Sequence, residues 1–370
     1  MDKKTYPPFS VILETENLLT ASAEDFKMAL SSLMQQDVPL SLAQEVIVLV
    51  SGTIPNEIRT EITTTYPELK IVETDESFGY YEVKSHGAKL ATGEIVVYAD
   101  VDCQYDSCWL RSLLEPFAAD ESVDIVAGET VIAVENSYSM ALAINYMLHR
   151  QKTQPKLQPA PRYYMNNVAF KRELLSKYNI PKRLPIFRGN CSIHSQILRQ
   201  NGYIIWKQPL AKARHATPHG VRNYLWRFLL MGHDHYWLDI LYDRVKQQKS
   251  GESAVSSIEN LAQPLDRSTH KFKPKPLHIR LWNKLNYLFQ QTRIYLKDSP
   301  DTIVYLPLAL PIIFSSQFLI LVGRLITKHN SHYLLKTYLD KFEPAYSEAL
   351  KFDSLPHDAQ QFQFNEVIGR

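Results

Sequence analysis

The sequence predicts an α/β fold in which helices flank a mostly parallel sheet, followed by a helical C-terminal extension that contains a hydrophobic segment. Short apolar runs alternate with helical patterns through the first half of the chain, which is typical of a parallel sheet covered on both faces. Beyond about residue 216 this alternation gives way to aromatic helical patterns and polar stretches. With 370 residues, 45% of them hydrophobic, the chain is long enough to bury a large core.

Each predicted strand is a short run rich in Val, Ile or Leu that ends in polar or turn residues. The predicted strands are at 9–13, 45–50, 69–73, 95–99 and 124–128. Helices alternate with them, since apolar residues such as Phe26, Leu30 and Leu33 recur at helical spacing. The further predicted helices begin at about residue 55 and lie at 80–91, 107–117 and 139–150.

Charge and cysteine content exclude several classes of protein. With 41 Lys+Arg and 39 Asp+Glu the net charge is +2, so no global field attracts a polyanion and we expect no nucleic-acid partner. Three cysteines without a C-x-x-C pair predict neither a disulfide framework nor structural zinc, which favours a reducing compartment. The first residues contain no uninterrupted apolar core of a signal peptide, so we expect no N-terminal export signal.

Two aspartates follow the buried strand at 95–99 directly. Ligands of open α/β sheets lie outside the carboxyl ends of the strands, which is where Asp100 and Asp102 are expected. Carboxylates one residue apart can hold a hard divalent cation together with diphosphate oxygens, and the cation then neutralises charge on a phosphate leaving group. A lone D-x-D is often a solvated turn, but this pair follows an apolar strand and a helix that carries Lys84 and Lys89.

Several segments together resemble the family 2 glycosyltransferases of the GT-A fold. They are SVIL at 10–13, GYYEVKSHGA at 79–88, ATGEIV at 91–96, DVDC at 100–103 and NNVAFKR at 166–172. The segment NGY at 201–203, leading to Pro209 and His215, also fits the order. The resemblance covers about residues 8–235 and implies transfer of a sugar from a nucleotide-diphosphate donor with Mg²⁺ or Mn²⁺ as cofactor.

The resemblance also implies roles for individual residues. It puts Asp102 on the metal ion and turns Asp100 toward the metal or the donor's ribose, with His215 as a further ligand or else a surface or core histidine. Donor contacts fall on Glu14, Thr15 and Glu16 at the end of the first strand. Lys84 is expected to face the donor, or to be a solvated helix lysine. Arg227 could bind diphosphate or a lipid phosphate, or lie on a solvated helix face.

The catalytic base is the main departure from the family pattern. The family's inverting members carry a Glu-Asp pair near 188–194, and its aspartate removes the proton from the acceptor hydroxyl. This chain has Asn190 and Cys191 there. A sugar hydroxyl is a poor nucleophile while protonated, so we consider His194, which titrates in the useful range, and Asp234 as candidate catalytic bases. The alternative for His194 is a helix-face histidine next to solvent.

We expect two domains, a GT-A-like domain at 8–235 and a helical C-terminal extension at 236–370. Within the extension, residues 302–323 contain 22 residues without a charge, 15 of them hydrophobic, which reaches the length of a membrane span. Membrane contact and a buried hydrophobic helix are the two interpretations. Because nucleotide sugars are supplied in the cytosol, we expect a cytoplasmic protein at the inner face of the membrane with a glycan or lipid-linked acceptor, for example in cell-envelope polysaccharide synthesis.

Two other functions remain open from the sequence. A sugar nucleotidyltransferase shares an α/β nucleotide-binding architecture, but it would need a glycine-rich loop after the first strand, and residues 14–21 contain no glycine. A non-catalytic sugar-nucleotide-binding or scaffold protein would retain the sheet without the base, and the missing Glu-Asp pair favours it.

Overall fold

The computed structural model describes residues 6–15, 23–51, 56–145, 156–247, 277–350 and 352. Glu16, which the sequence analysis assigns to the donor site, lies outside the described residues, as do residues 248–276 of the C-terminal extension.

The strands of the described part form one sheet. They are β1 (Phe9–Glu14), β2 (Glu45–Ser51), β3 (Lys70–Thr74), β4 (Ile95–Asp100), β5 (Cys103–Tyr105), β6 (Ile125–Ile132), β7 (Gln158–Ala160), β8 (Asn167–Lys171) and β9 (Ile205–His215). Their order is β3-β2-β1-β4-β8-β6-β9-β5, and β7 pairs with β9 outside that path. The predicted fold class is confirmed.

The first four strands of this order are parallel. β1 lies between β2 and β4, and every residue of β1 and β4 is buried because helices cover both faces. In the β1–β4 register Glu14 stands beside Asp100. The carboxyl ends of both strands therefore bring acidic residues to the same edge of the sheet.

The remaining half of the sheet is mixed, which differs from the mostly parallel sheet that we expected. β8 enters antiparallel between β4 and β6, whereas β6 and β9 are parallel. The far end of β9 pairs antiparallel with β5, so that Cys103 lies opposite His215. The far end of the long strand β9 therefore lies beside Cys103, close to Asp102.

The helices are α1 (Ala23–Met34), α2 (Asn56–Thr65), α3 (Tyr80–Leu90), α4 (Trp109–Ala119), α5 (Ser137–Asn145), α6 (Arg172–Lys177), α7 (Asn190–Gln200), α8 (Val221–Gln247), α9 (Leu277–Asp298), α10 (Leu306–His329), α11 (Tyr333–Phe342) and α12 (Pro344–Leu350). Helix α8 runs without interruption through residue 235, where the sequence analysis divides the chain. The two-domain division stays a prediction.

Helices α8 and α10 cross at a pair of glycines. A Cβ atom on Gly232 would lie 2.1 Å from the Ile320 carbonyl oxygen, and one on Gly323 would lie 2.1 Å from the Leu229 carbonyl oxygen. No real Cβ contact is this short, so only glycine permits the two backbones to approach so closely. The Tyr224 hydroxyl adds a hydrogen bond to the Ile312 carbonyl at 2.9 Å.

The opposite face of α10 is apolar and exposed. Helix α10 buries a stripe at helical spacing against α5 and α8, which includes Ala309, Ile313 and Ile320. Large hydrophobic side chains on its other side are solvent-exposed in the described chain: Leu308, Leu310, Phe314, Phe318, Leu321 and Leu325. Residues 300–329 are long and apolar enough to cross a membrane, yet 28% of the most apolar stretch is buried within the protein. We call this surface the apolar face of α10.

Candidate active site

Asp100 is held in place by two residues of α3. β4 ends at Asp100, and Tyr80 and Lys84 lie four residues apart on one face of α3. The Tyr80 hydroxyl donates to Asp100 Oδ2 at 2.8 Å, and the Lys84 ammonium forms an ion pair with Oδ1. Lys84 is fully buried and also donates to the carbonyls of Ala99 and Met165 at 3.2 and 3.4 Å. Lys84 therefore reaches the predicted site but contacts Asp100, and it is not a solvated lysine.

Asp102 and Cys103, which follow β4, lie close to His215 at the end of β9. One ligand atom from each lies within 4.8 Å of the others. Asp102 Oδ2 is 3.4 Å from His215 Nε2, and the Cys103 thiol donates to Asp102 Oδ1 at 3.6 Å. Asp102 is almost entirely buried, and burial raises the pKa of its carboxyl, with the nearby Asp100 carboxylate adding to the increase.

The hydrogen bond on the far side of the His215 ring fits a metal site. His215 Nδ1 lies 2.6 Å from the Ala216 carbonyl oxygen, which can only accept, so Nδ1 carries a proton. In a neutral ring the Nε2 lone pair then points at the Asp102 carboxylate, and two acceptors face each other. A cation between them, either a proton or a divalent metal ion, satisfies both. Metal-binding histidines generally have their second ring nitrogen bonded in this way.

Two arginines lie near Asp100 and Asp102, which together we call the acidic cluster. The Arg188 guanidinium lies 4.7 Å from the centre of the Tyr80 ring, and Arg227 lies 5.6 Å from the Phe187 ring. Arg227 is close enough to Asp102 and to Asp234 to limit the rise in pKa that burial causes in both carboxyls. Arg188 and Arg227 are partly exposed. Positive charge therefore lies beside the acidic residues, and donor binding by Arg227 stays a prediction.

Asp234 supports the segment that carries Arg188. Its two oxygens accept the backbone N–H groups of Phe187 and Arg188 at 2.7 and 3.1 Å. Burial raises the pKa of the Asp234 carboxyl to about 7, and the two N–H groups and both arginines limit that increase. Asp234 thus lies behind the Phe187–Arg188 backbone, and its role as a catalytic base stays a prediction that these contacts do not favour.

His194 lies in the core and not at the helix surface that we considered as its alternative. It is fully buried, with Nδ1 2.7 Å from the Tyr163 hydroxyl and Nε2 3.0 Å from the Tyr178 carbonyl. Because the carbonyl only accepts, Nε2 carries the proton and Nδ1 accepts from the tyrosine. Burial lowers the pKa of His194 to about 4. These contacts do not bring His194 to the acidic cluster, so they give its predicted role as a base no support.

The other predicted donor residues lie at the end of β1. Glu14 is fully buried beside Asp100 and close enough to Tyr80 to act on its phenol electrostatically. Thr15 is also buried, and its hydroxyl donates to the Leu49 carbonyl at 3.0 Å. Both residues therefore belong to the edge of the sheet that carries the acidic cluster.

Three residues of this arrangement were missed by sequence reasoning. The only local signal for Tyr80 was its helical spacing to Lys84. Cys103 follows Asp102 directly, but its link to His215 depends on the pairing of β5 with β9. Arg188 is positioned by Asp234 from a distant helix.

Comparisons with known proteins identify a family for part of the chain. Residues 21–178 match the family model described as "Glycosyl transferase family 2". The matched part includes Lys84, Asp100 and Asp102. The sheet, flanked by helices and with acidic residues at its carboxyl edge, has the GT-A-like arrangement predicted from the sequence. Residues 21–178, less than half of the chain, thus match a family 2 glycosyltransferase domain, which confirms the resemblance stated from the sequence.

The chain is similar to the glycosyltransferase AglE of Haloferax volcanii, with 29% identity over 37% of this chain and 44% of that protein. It spans less than half the length of the curated relatives it matches. Among solved structures it is similar to the mannosyltransferase PcManGT from Pyrobaculum calidifontis in complex with GDP-Man and Mn²⁺, with a TM-score of 0.47, 17% identity and coverage of 94% of this chain and 88% of that one. It is also similar to GalNAc-T7 with UDP, GalNAc and Mn²⁺, with a TM-score of 0.48, 13% identity and coverage of 64% and 52%.

Proposed function

We propose that the protein is a metal-dependent glycosyltransferase that moves a sugar from a nucleotide-diphosphate donor to a glycan or lipid-linked acceptor. The observation that carries the proposal is the position of His215 Nε2, 3.4 Å from the Asp102 carboxylate, at the carboxyl edge of the sheet. The names of the curated relatives, all glycosyltransferases or N-acetylgalactosaminyltransferases, agree with it.

In this proposal Asp102 and His215 hold Mg²⁺ or Mn²⁺, with Cys103 as a third ligand. The ion neutralises charge that develops on the diphosphate leaving group. Asp100 has a different role, because the Lys84 ammonium and the Tyr80 hydroxyl already occupy its two oxygens. We assign Asp100 to fixing the end of β4, so that Asp102 and the donor-binding edge at Glu14 and Thr15 keep their positions.

Donor binding tests the proposal. Thermal shift with UDP- and GDP-sugars is expected to show a stabilisation that requires Mn²⁺ or Mg²⁺ and is lost in Asp102→Asn. Asp120→Asn is the matched control, because Asp120 is an exposed aspartate at the end of α4. Binding followed by transfer supports the glycosyltransferase. Tight binding without turnover across donors and acceptors would instead support the non-catalytic scaffold protein.

Cys103 adds a thiol to an otherwise hard ligand set. It lies directly opposite His215 in the β5–β9 ladder, so both side chains share one face of the sheet. Thiolate ligands favour softer metals than oxygen does. We therefore expect Co²⁺ to produce a thiolate-to-metal charge-transfer band in the wild type and not in Cys103→Ser. A band of equal strength in Cys108→Ser checks that the partly exposed cysteine is not its source.

We also propose that the apolar face of α10 contacts a membrane surface without crossing it. The buried stripe of α10 packs on α8 and α5, so only the opposite side is available to lipid. Exposed Lys328 and His329 follow it, and Arg293 and Lys297 are exposed on α9, which suits an anionic bilayer surface. This attachment, with the three described cysteines all free, is consistent with a cytoplasmic protein at the inner face of the membrane.

Vesicle flotation tests the membrane contact. The full chain is expected to float with phosphatidylglycerol-containing vesicles, and Phe314→Asp combined with Phe318→Asp is expected to abolish flotation. Leu42→Asp changes an exposed leucine outside α10 and is the control. Extraction by alkaline carbonate is expected to release the wild type, and retention in the membrane would contradict surface attachment.

A further inference from the structure

We propose that the cavity between α3 and α6 binds a sugar phosphate, at a site separate from the acidic cluster. Such a site is independent of the glycosyl transfer proposed above. A small cavity there combines two cations, which no carboxylate of the described chain neutralises, with hydroxyl groups that can only accept hydrogen bonds from a ligand.

The cavity lies toward the amino end of β4, whereas the acidic cluster is at its carboxyl end. The α6 wall begins at Arg172, whose backbone N–H donates to the Glu94 carbonyl at 2.8 Å, just before β4. Because β4 is six residues long, its two ends are about 16 Å apart. At the other limit of the cavity, the buried Lys84 ammonium lies 5.5 Å from the centre of the Tyr98 ring and pairs with Asp100. Lys84 therefore separates the cavity from the acidic cluster.

The size and the apolar lining of the cavity restrict its ligand. The volume is about 240 Å³, below the roughly 300–1,000 Å³ of pockets that bind drug-sized molecules. Ala88, Leu175 and Ile180 provide apolar surface, which suits the C–H groups of a sugar ring. These features fit a single sugar ring with its phosphate better than a whole nucleotide.

Two cations line the cavity, Lys89 from α3 and Arg172 from α6. Arg172 Nε donates to the Gly93 carbonyl at 2.9 Å, which orients the guanidinium. Within the described chain no carboxylate lines the cavity, and neither cation has an ion-pair partner. Ammonium and guanidinium groups both bind phosphate oxygens, the guanidinium through paired N–H donors. The charge of the cavity therefore suits a phosphate group.

A third cation, Lys182, lies close to Lys89. Burial lowers the pKa of the Lys182 ammonium, the positive charges of Lys89 and Arg183 add to the decrease, and Glu82 opposes it. Glu82 is already paired with Arg183, whose Nε lies 3.0 Å from its carboxylate. Positive charge thus accumulates beside the cavity with little acidic compensation, and a bound anion would relieve this repulsion.

Two serines of the lining add a requirement for hydroxyl groups on the ligand. The Ser85 hydroxyl donates to the Tyr81 carbonyl at 2.7 Å, and the Ser176 hydroxyl donates to the Arg172 carbonyl at 3.2 Å. Each hydroxyl has a single proton, so both serines can only accept hydrogen bonds from the cavity. A sugar phosphate satisfies both sets of groups, because its phosphate meets the cations and its O–H groups meet the serines.

Calorimetric titration of the full chain tests the site, with EDTA present so that metal-dependent donor binding does not contribute. We expect the Kd of glucose 6-phosphate to be at least about 10-fold lower than that of sulfate, which has no O–H group, or of uridine monophosphate, which is larger. Glucose, which lacks the phosphate, is expected not to bind. Binding of sulfate, uridine monophosphate or glucose as tightly as glucose 6-phosphate overturns the proposal, and so does the absence of any binding.

Variants separate this site from the acidic cluster. Lys89→Gln and Arg172→Gln are expected to raise the Kd of glucose 6-phosphate about 10- to 100-fold, the range for losing a charged hydrogen bond. Ser176→Ala is expected to raise it about 2- to 10-fold and to leave the Kd of sulfate unchanged. Arg111→Gln, at an exposed arginine on the other face of the sheet, is the control. Asp102→Asn is expected to bind normally, and loss of binding in Asp102→Asn with normal binding in Lys89→Gln would overturn the proposal.

Discussion

The buried ion pair of Lys84 and Asp100 gives a direct test of how Asp100 is held at the carboxyl edge of the sheet. We expect Lys84→Met to destabilise the protein strongly. Lys84 is completely buried and Asp100 is 2% exposed, so water cannot replace the lost ammonium. Removing one member of a buried ion pair typically costs about 3–5 kcal/mol. The Tyr80 hydroxyl, 2.8 Å from Asp100, remains in the variant and favours the lower part of this range.

The measurement is urea unfolding followed by tryptophan fluorescence, since Trp109 is buried in the core 4.2 Å from the Tyr105 ring. For a domain of this size about 1 kcal/mol corresponds to 2–4 °C in Tm, so thermal unfolding should shift by about 6–20 °C. The double variant Lys84→Met with Asp100→Asn completes the cycle. We expect it to be more stable than Lys84→Met alone, because the buried charge has been removed.

Tyr80→Phe is the matched control for the hydrogen bond without the charge, with an expected loss of about 1–3 kcal/mol. A Lys84→Met variant within about 1 kcal/mol of wild type, or one that Asp100→Asn fails to improve, would refute the reasoning that the ammonium neutralises Asp100 in a dry site.

Three further predictions follow from the described contacts. His215→Gln should weaken Mn²⁺ binding by at least about 100-fold in titration calorimetry, while His219→Gln, at an exposed histidine, leaves it unchanged. Gly323→Leu should destabilise the protein by at least about 2 kcal/mol in urea, because its Cβ would lie 2.1 Å from a backbone oxygen, whereas Leu325→Ala on the exposed side changes little. Burial lowers the pKa of His194 to about 4, whereas its value in the unfolded chain is about 6.5. The free energy of unfolding that His194 contributes above pH 6.5 should therefore be lost as the pH falls from about 6.5 to about 4. Acid unfolding of His194→Gln that matches the wild-type pH dependence would contradict the assignment.

The acidic edge could be predicted from sequence because its signal is local. A buried strand followed immediately by Asp100 and Asp102 places both carboxylates at a known edge of the sheet, whatever the partner strands are. Strands β2 and β4 of the parallel half were predicted for the same reason, since each contains a continuous apolar run.

The second half was harder because its order depends on pairing between distant segments. β5 and β7 are three residues long, too short to produce a periodic pattern, and nothing within β8 indicates that it runs antiparallel to β4. The environment of His194 was missed for a similar reason. Its tautomer and pKa are set by Tyr163 and Tyr178, whose positions only the folded chain defines.

The glycine crossing of α8 and α10 has a geometric consequence for the proposed membrane contact. With backbone against backbone at Gly232 and Gly323, helix α10 cannot shift independently of helix α8, which carries Arg227. If the apolar face of α10 contacts a bilayer as proposed, Asp100 and Asp102 are held at one height above it. The protein would then select acceptors by how far they protrude from the membrane as well as by their chemistry.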